Sequence, residues 1–137
     1  MSQILYQTAT KEKFTVITIE NKDLLSNIVP ELDNLTSKWV NMPPNNLILN
    51  LHQVKTWDEA VIEQIAKAQG TFYEKNYSFV ICALSDHLLD ILDKTDYAEL
   101  LNMTPTESEA WDIVQMEEIE RELLDSDDME FSVPNED

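Results

Sequence analysis

Residues 47–72 constrain the fold of this chain more than any other stretch of its sequence. They open with residues 47–51, which are apolar except for Asn50, and a short bounded run of this kind predicts a strand buried on both faces. From Asp58 onward the spacing of the apolar residues changes from two to about 3.6, which predicts an amphipathic helix. The apolar stripe of this helix consists of Val61, Ile65, Ala68 and Phe72.

The loop between this strand and helix carries a helix-start signal. Thr56 is followed three residues later by Glu59, a spacing typical of a capping box, in which the threonine side chain accepts a hydrogen bond from the first helical turn. In an open α/β sheet, functional sites usually lie at the edge where a strand leads directly into a helix. The loop at residues 52–58 is expected to lie at such an edge.

The rest of the chain alternates β-rich runs with helical patterns. The β-rich runs at 4–8 and 14–19 predict a hairpin, and the alternation in the second run slips by one residue, which leaves its register open. The other expected elements are a helix from about Pro30 to Val40, a buried strand at 77–84, a short helix capped by Ser85, a weak strand at 98–103 and a last helix capped by Thr104. This order predicts an α/β fold, a single-domain open, mainly parallel sheet with crossover helices.

Length and composition bound the class of protein. A chain of 137 residues is long enough for one domain, and we expect that domain to span 1–124. From about Asp125 the composition turns to Asp, Glu, Ser and Pro, which predicts a disordered acidic tail at 125–137. The start of the chain lacks a signal-peptide pattern and no run is long enough to span a bilayer, so we expect a cytoplasmic protein.

The charge of the chain argues against several partners. The net charge is −18, and residues 104–137 hold thirteen acids against one base. Such a field repels phosphate backbones and anionic lipids, so neither nucleic acid nor a membrane is an expected partner. The single glycine, Gly70, argues against glycine-rich phosphate loops, and no cofactor is expected.

The sequence of residues 47–114 resembles that of the STAS domain, the module shared by bacterial anti-sigma factor antagonists and the cytoplasmic ends of sulfate transporters. The matching segments are LILNLHQVKTWDEAVIEQIAKA and, further along the chain, YSFVICALSDHLLDILDKTDYAELLNMTPTESEAWDIV. The family typically has a strand, a short loop, and then apolar-x-Asp-Ser-Ser/Thr-Gly-Leu at the start of a helix. The resemblance implies the family's α/β fold.

The departures from the family fall within this signature. Asp58 matches the aspartate, but Glu59 stands where antagonists carry the serine or threonine that a partner kinase phosphorylates. Ala60 replaces the next hydroxyl and Val61 replaces the glycine. The resemblance therefore implies that the chain is not phosphorylated at the family's usual position, and that Glu59 is the equivalent of the phosphorylation site.

The resemblance also implies a function. The chain is expected to be a non-enzymatic regulatory module that binds a protein, such as an anti-sigma factor or serine/threonine kinase domain, and thereby regulates transcription. The alternative is a STAS-like scaffold or a small-ligand-binding α/β domain without a phospho-switch. The sequence also leaves open whether the chain forms a homodimer. The expected partner-binding residues are Thr56, Trp57, Asp58, Glu59, Ala60, Ile62, Ser85 and His87.

Each of these residue types also has a purely structural explanation. Acids at a helix start complement the helix dipole, which stabilises the helix by about 0.3–1 kcal/mol for each acid. Trp57 either packs under the helix or is exposed as an interface anchor. Adjacent side chains in a helix point about 100° apart, so Asp58 and Glu59 rarely act as one catalytic pair. His52 and His87 lack zinc-ligand spacing, and Cys82 within an apolar run is expected to be a buried apolar residue.

Overall fold

The computed structural model describes residues 3–126, which form a five-stranded sheet with helices on both sides. The helices are α1 (Val29–Val40), α2 (Glu59–Glu74), α3 (Asp86–Asp93) and α4 (Glu107–Ser126), and a 3-10 turn (Ser26–Ile28) precedes α1. The strands are β1 (Tyr6–Thr10), β2 (Phe14–Ile19), β3 (Asp23–Leu24), β4 (Asn46–Asn50), β5 (Thr56–Trp57), β6 (Phe79–Cys82) and β7 (Met103–Thr104). The expected α/β class and mainly parallel sheet are confirmed.

The main sheet has the strand order β1-β2-β4-β6-β7. β1 and β2 form the expected antiparallel hairpin, although β1 begins at Tyr6 and not at Ile4. The pairs β2-β4, β4-β6 and β6-β7 are all parallel, as expected for strands joined by crossover helices. The carboxyl ends of β4, β6 and β7 therefore meet at one edge of the sheet, and α2, α3 and α4 begin at that edge.

β2 resolves the register that its sequence leaves open. Ile17 and Ile19 belong to the core beneath α1 and α2, whereas Phe14 and Val16 belong to the core beneath α4. All four are buried because β2 lies inside the sheet and is covered on both faces. The apparent slip in alternation is therefore a strand with two buried faces.

The two sides of the sheet differ in how they are filled. The side covered by α1, α2 and α3 holds a core of 23 buried hydrophobic residues, among them the side chains of Phe72 and Phe79 with ring centroids 5.2 Å apart. The α4 side holds seven, including Val114 of α4 itself and Cys82. We call these the major and the minor side.

Two helix starts differ from expectation, and a third agrees with it. Ser85 caps α3 as predicted, since its Oγ accepts a hydrogen bond from the backbone N–H of Leu88 at 3.2 Å. Thr56 does not cap α2, because it lies in β5, which pairs with β3. Thr104 does not cap α4, because it lies in β7.

Thr106 takes the place expected for Thr104 at the start of α4. Its Oγ1 accepts from the backbone N–H of Glu109 at 3.3 Å and donates to Glu109 Oε1 at 3.0 Å. Thr106 and Glu109 have the three-residue spacing of a capping box, two residues later in the sequence than the predicted cap.

The second half of α4 is held to the sheet by a polar cluster, which we call the anchor network: Asn46, Ser78, Glu117, Glu118 and Arg121. Asn46 Nδ2 donates to Glu118 Oε2 at 2.6 Å, and the backbone N–H of Ser78 donates to Asn46 Oδ1 at 2.7 Å. Arg121 Nη2 donates to Ser78 Oγ at 2.9 Å, and Ser78 Oγ donates to Glu117 Oε1 at 2.5 Å. Asn46 begins β4, so the network lies at the opposite edge of the sheet from the helix starts.

The anchor network extends to α2 through a tyrosine. Tyr73 Oη donates to Glu117 Oε1 at 2.8 Å and accepts from Asn102 Nδ2 at 2.8 Å. Burial, reinforced by the Glu117 carboxylate, raises the pKa of Tyr73 to about 12. The hydroxyl therefore stays protonated and available as a donor throughout the neutral pH range.

The end of α4 lies close to the expected end of the domain. This helix runs to Ser126, two residues past the domain limit expected at 124. Residues 127–137, which make up most of the expected acidic tail, lie outside the described residues, as do residues 1 and 2. Within 3–126 no helix combines the length and the apolar character needed to cross a bilayer.

Candidate functional site

The candidate site lies at the carboxyl edge of the sheet, on the major side, where α2 and α3 begin side by side. We call it the crest and define it as residues 56–62 and 85–88. It contains the eight residues expected from the sequence, drawn from two segments that are 31 residues apart where Thr56 meets His87. Parallel strands place consecutive helix starts next to each other, which is why the two segments form one surface.

Asp58 organises the α2 start and replaces Thr56 as its cap. Its Oδ1 accepts from the backbone N–H of Val61 at 3.2 Å, which satisfies one of the donors left open at a helix N-terminus. Its Oδ2 accepts from the backbone N–H of Ser26 at 2.8 Å. One carboxylate thus fixes the helix start and ties it to the segment that precedes α1.

The two halves of the crest are joined by side chains of the loop before α2. Thr56 Oγ1 lies 3.4 Å from His87 Nε2, and Trp57 Nε1 donates to the carbonyl oxygen of Leu88 at 3.1 Å. Both contacts connect β5 to α3. The relative position of the two helix starts is therefore fixed by direct hydrogen bonds as well as by the sheet.

Exposure divides the expected site residues into two groups. Glu59, Ala60, Ser85 and His87 are exposed, and Thr56 and Asp58 are half-buried. Trp57 is 2% exposed and Ile62 is 0% exposed, and both belong to the major core. Trp57 and Ile62 therefore present no exposed side chain to a partner in this structure. Of the two alternatives for Trp57, the structure shows packing under the helix.

Acidic side chains dominate the helix starts at this edge. Glu59 stands in the first turn of α2, Asp86 in that of α3, and Glu107 and Glu109 in that of α4. Each acid complements the positive end of its helix dipole. Two exposed lysines lie in the adjoining loops, where the backbone N–H of Lys55 donates to the carbonyl oxygen of Lys22 at 2.7 Å.

A tyrosine beside the crest responds to this acidic field. The pKa of Tyr97 is raised, first by desolvation and then by the carboxylate of Glu63, with smaller effects of Glu59 and Asp96. Glu63 lies one helical turn after Glu59 on the same side of α2. The negative potential therefore extends from the start of α2 toward the loop after α3.

Two features of this edge are absent from the sequence-based site. Leu25 is 42% exposed and lies next to Leu24, whose carbonyl oxygen accepts from the backbone N–H of Asp58 at 3.3 Å. A groove of about 290 Å³ lies between the α3 start and β7, lined by Leu84, Asp86, Leu89, Met103, Thr104 and Pro105. No local signal shows these features, because each depends on pairing between segments distant in sequence.

The strand end beneath the groove is conformationally strained. Ala83 follows β6 directly and has φ of 64°, a left-handed conformation that a residue with a Cβ adopts at a cost of about 1–2 kcal/mol. Its backbone N–H donates to the carbonyl oxygen of Thr104 at 3.2 Å. The sharp turn at Ala83 brings Ser85 into position to cap α3.

The remaining candidate residues form no reactive group. Cys82 is fully buried, and burial raises the pKa of its thiol to about 12, with a smaller contribution from Glu107. A thiol in this state is a poor nucleophile at neutral pH. His52 Nδ1 lies 2.9 Å from Asn50 Oδ1, and Asn50 Nδ2 donates to Glu107 Oε1 at 2.9 Å, so these polar groups are engaged with each other. The described part of the chain contains no group of three or more His, Cys, Asp or Glu side chains arranged to hold a metal ion.

Comparison with protein-family models identifies the class. The STAS domain model matches residues 6–110, which include every strand of the main sheet and the whole crest. The chain belongs to the STAS domain family. A search of curated proteins finds no match.

Solved structures agree with this fold. An anti-sigma-factor antagonist (STAS) domain protein from Planctomyces limnophilus has a TM-score of 0.69 at 18% identity, covering 80% of this chain and 97% of that chain. A Thermotoga maritima protein described as an anti-sigma factor antagonist has a TM-score of 0.68 at 15% identity, covering 80% and 94%. Murine Solute Carrier 26 family member A9, an anion transporter, has a TM-score of 0.67 at 13% identity, covering 79% of this chain and 18% of the transporter. The chain is therefore a STAS domain whose fold resembles that of anti-sigma factor antagonists.

Proposed function

We propose that this chain is a non-enzymatic regulatory module that docks a protein partner through the crest, with Glu59 as a permanent charge at the centre of the docking surface. The partner class is an anti-sigma factor or a related serine/threonine kinase domain, and the outcome is control of transcription in a bacterial cytoplasm. The likeness to anti-sigma factor antagonists supports the partner class.

The observation that carries the proposal is the placement of Glu59. It is exposed in the first turn of α2, directly after the capping Asp58. The sequence resemblance implies that antagonists of the family carry a phosphorylatable hydroxyl at this position. A carboxylate supplies part of the charge that a phosphate would bring, with less charge and a different geometry. The module is therefore set in one state at this position and does not cycle through phosphorylation there.

The buried members of the crest support docking without joining the contact. Trp57 fills the space beneath the α2 start and bonds to the α3 backbone, which holds the exposed Glu59, Ala60, Ser85 and His87 on a rigid base. Surfaces that are held in place before binding lose less conformational entropy when they bind. This arrangement suits a binding module.

The chemistry of the crest also favours binding over catalysis. Asp58 uses both carboxylate oxygens for backbone N–H groups, so it is engaged as a structural cap. No nucleophile and base lie within hydrogen-bond distance of each other among the described crest residues, apart from the 3.4 Å contact of Thr56 and His87. That distance is long for activation of a hydroxyl, for which about 2.6–3.2 Å is needed.

Capture of the partner tests the proposal. The full chain, immobilised as bait in a lysate of its source organism, should recover an anti-sigma factor or serine/threonine kinase domain that mass spectrometry identifies. Ala60→Arg places a bulky cation on the exposed first turn of α2 and should abolish recovery. Thr71→Arg places the same side chain on an exposed position near the other end of the helix and should leave recovery unchanged.

The control decides the outcome of that experiment. If Ala60→Arg and wild type recover the same protein in equal amounts while both remain folded by circular dichroism, the crest is not the docking surface. The groove at Leu84 and Met103 supports the alternative of a small-ligand-binding domain. That alternative is favoured if Leu89→Arg, which fills the groove, weakens the binding of a small molecule and Ala60→Arg does not.

A further inference from the structure

The outer side of α4 carries an apolar stripe whose side chains are more than half exposed. Met116 is 58% exposed, Ile119 is 57% exposed and Leu123 is 64% exposed, and we call these three residues the outer stripe. We propose that the outer stripe is a second docking surface of this protein, and that its occupant is a basic amphipathic helix of a partner protein.

The spacing of the stripe fits helix-to-helix docking. At about 100° per residue, positions 116, 119 and 123 fall within an arc of about 60° on α4. Ala110 and Val114, which are 0% exposed, point roughly the opposite way, into the minor core. α4 therefore has two apolar sides, and within residues 3–126 only one of them is buried. An apolar arc at this spacing is normally buried against another element.

A groove beside the stripe defines the chemistry of the occupant. It has a volume of about 250 Å³ and is lined by Glu12, Lys13, Gln115, Glu118, Ile119 and Glu122. Three of these side chains are acids, and Lys13 Nζ lies 3.2 Å from Glu122 Oε2. Ile119 supplies apolar surface at the border between groove and stripe. A lysine or arginine whose aliphatic stem lies on Ile119 would bring its charge among these acids.

The negative charge of α4 argues against two other occupants, namely a second copy of the protein and residues 127–137 of the same chain. Residues 107–124 hold seven acids and a single base, Arg121. A second copy that docked helix to helix would bring two such faces together, each on a chain of net charge −18. Residues 127–137 hold five acids and no base, so they would meet the same repulsion. A cationic partner gains from this field in both affinity and association rate.

The outer stripe is separate from the crest and from the part of the chain that defines the family. All three residues follow position 110, where the match to the STAS model ends. They lie beside the anchor network, at the opposite edge of the sheet from the helix starts, since Arg121 contacts Asn46 at the beginning of β4. Both surfaces can therefore be occupied at once.

A synthetic probe tests the proposal on the full chain. The probe is a fluorescein-labelled peptide of leucine and lysine, about five helical turns long, with leucines at i, i+3, i+4 and i+7. Its binding is measured by fluorescence anisotropy at physiological ionic strength. The control probe has the same composition in an order that forms no apolar stripe, and it should bind at least tenfold more weakly to the wild-type chain.

Matched variants locate the binding site. Met116→Ser with Ile119→Ser removes apolar surface without changing charge and should weaken binding of the amphipathic peptide at least tenfold. Leu100→Ser removes an equally exposed leucine, 60% exposed, from the segment that follows α3, and should change the affinity less than twofold. Circular dichroism melts of all variants should coincide with that of the wild type, since every substituted side chain is solvent-facing.

Three results would overturn the proposal. Equal affinity of the two probes, or equal losses in the two variants, would show non-specific attraction to an acidic protein. Dimers in sedimentation analysis of the wild type, lost in the double variant, would make a second copy the occupant. A severalfold gain in peptide affinity on Phe131→Ser would make residues 127–137 of the same chain the occupant. None of these results bears on capture through the crest, which the double variant should leave unchanged.

Discussion

The two sides of the sheet are stabilised in different ways. On the major side, 23 buried hydrophobic residues from three helices, the loops and the sheet form one core. On the minor side, seven buried hydrophobic residues suffice, and the second half of α4 is attached through the anchor network. Both sides share the sheet, so the contrast comes from what covers it. One side is covered by apolar packing, and the other by a short apolar contact followed by hydrogen bonds from α4 to Asn46 and Ser78.

This contrast assigns different properties to the two surfaces of the molecule. The crest stands on Trp57, Ile62 and Leu88, all in the major core, and is therefore the rigid surface. The outer stripe lies on α4, whose second half depends on a few side-chain hydrogen bonds to charged groups, each of which contributes about 1.5–3 kcal/mol net. We expect α4 to open locally at a lower free energy than α2.

Loss of a ring from the major core should have the largest effect. Phe72→Ala removes a side chain that is 1% exposed and packed on Phe79, and it should lower the free energy of unfolding by about 3–5 kcal/mol. The matched change on the minor side, Phe14→Ala, removes a ring that is 2% exposed and packed on Trp111, and it should cost less, about 3 kcal/mol, because fewer buried residues surround it. Urea denaturation measures both. Equal losses would contradict the contrast between the two sides.

Disruption of the anchor network should have an intermediate and more local effect. Asn46→Ala leaves the buried N–H of Ser78 without its acceptor and removes a donor to Glu118, for a cost of about 2–3 kcal/mol. Amide hydrogen exchange should accelerate more in α4 than in α2. Asn45→Ala, which removes one hydrogen bond to the carbonyl oxygen of Val40, is the control and should leave α4 exchange unchanged. Uniform acceleration in both helices would show that α4 is not separately attached.

A substitution in α2 should have a small effect of the opposite sign. Gly70 lies in the helix, is exposed, and has no atom within 4 Å of the position that a Cβ would take. Gly70→Ala should therefore raise the free energy of unfolding by about 0.5–1 kcal/mol, because alanine loses less backbone entropy on folding. Thermal melts measure the gain. A loss of stability would mean that α2 is not a regular helix at this position.

The sequence predicted the elements that depend on local pattern. The apolar runs of β4 and β6, the helical spacing of α2 and the cap at Ser85 are all found in the structure. These features follow from period and from side chains that act within a few residues. The strand and the helix start that flank the crest were predicted for the same reason.

The errors come from pairing between distant segments. Thr56 has the spacing of a cap, but its segment pairs with Asp23–Leu24, which holds it extended and passes the capping role to Asp58. Thr104 is extended because it pairs with Cys82, which passes that role to Thr106. Trp57 could not be placed because its burial depends on a carbonyl of α3 that accepts its N–H. The residues adjacent in sequence do not indicate these distant pairing partners.

We propose that the permanent charge of Glu59 governs docking at the crest. Glu59→Ser removes one exposed charge and keeps a hydroxyl in the first turn of α2, so the free energy of unfolding should change by less than about 1 kcal/mol. The affinity for the captured partner should change tenfold or more, which corresponds to about 1.4 kcal/mol. A gain would mean that the charge of Glu59 opposes docking, and a loss would mean that Glu59 belongs to a constitutive interface.

Titration calorimetry measures this directly, with two controls. Glu59→Ala should shift the affinity in the same direction as Glu59→Ser, because both remove the charge. Glu74→Ser makes the same substitution at an exposed position at the far end of α2 and should leave the affinity unchanged. Equal affinities for the wild type, Glu59→Ser and Glu59→Ala would contradict the account and reduce Glu59 to a residue that complements the helix dipole.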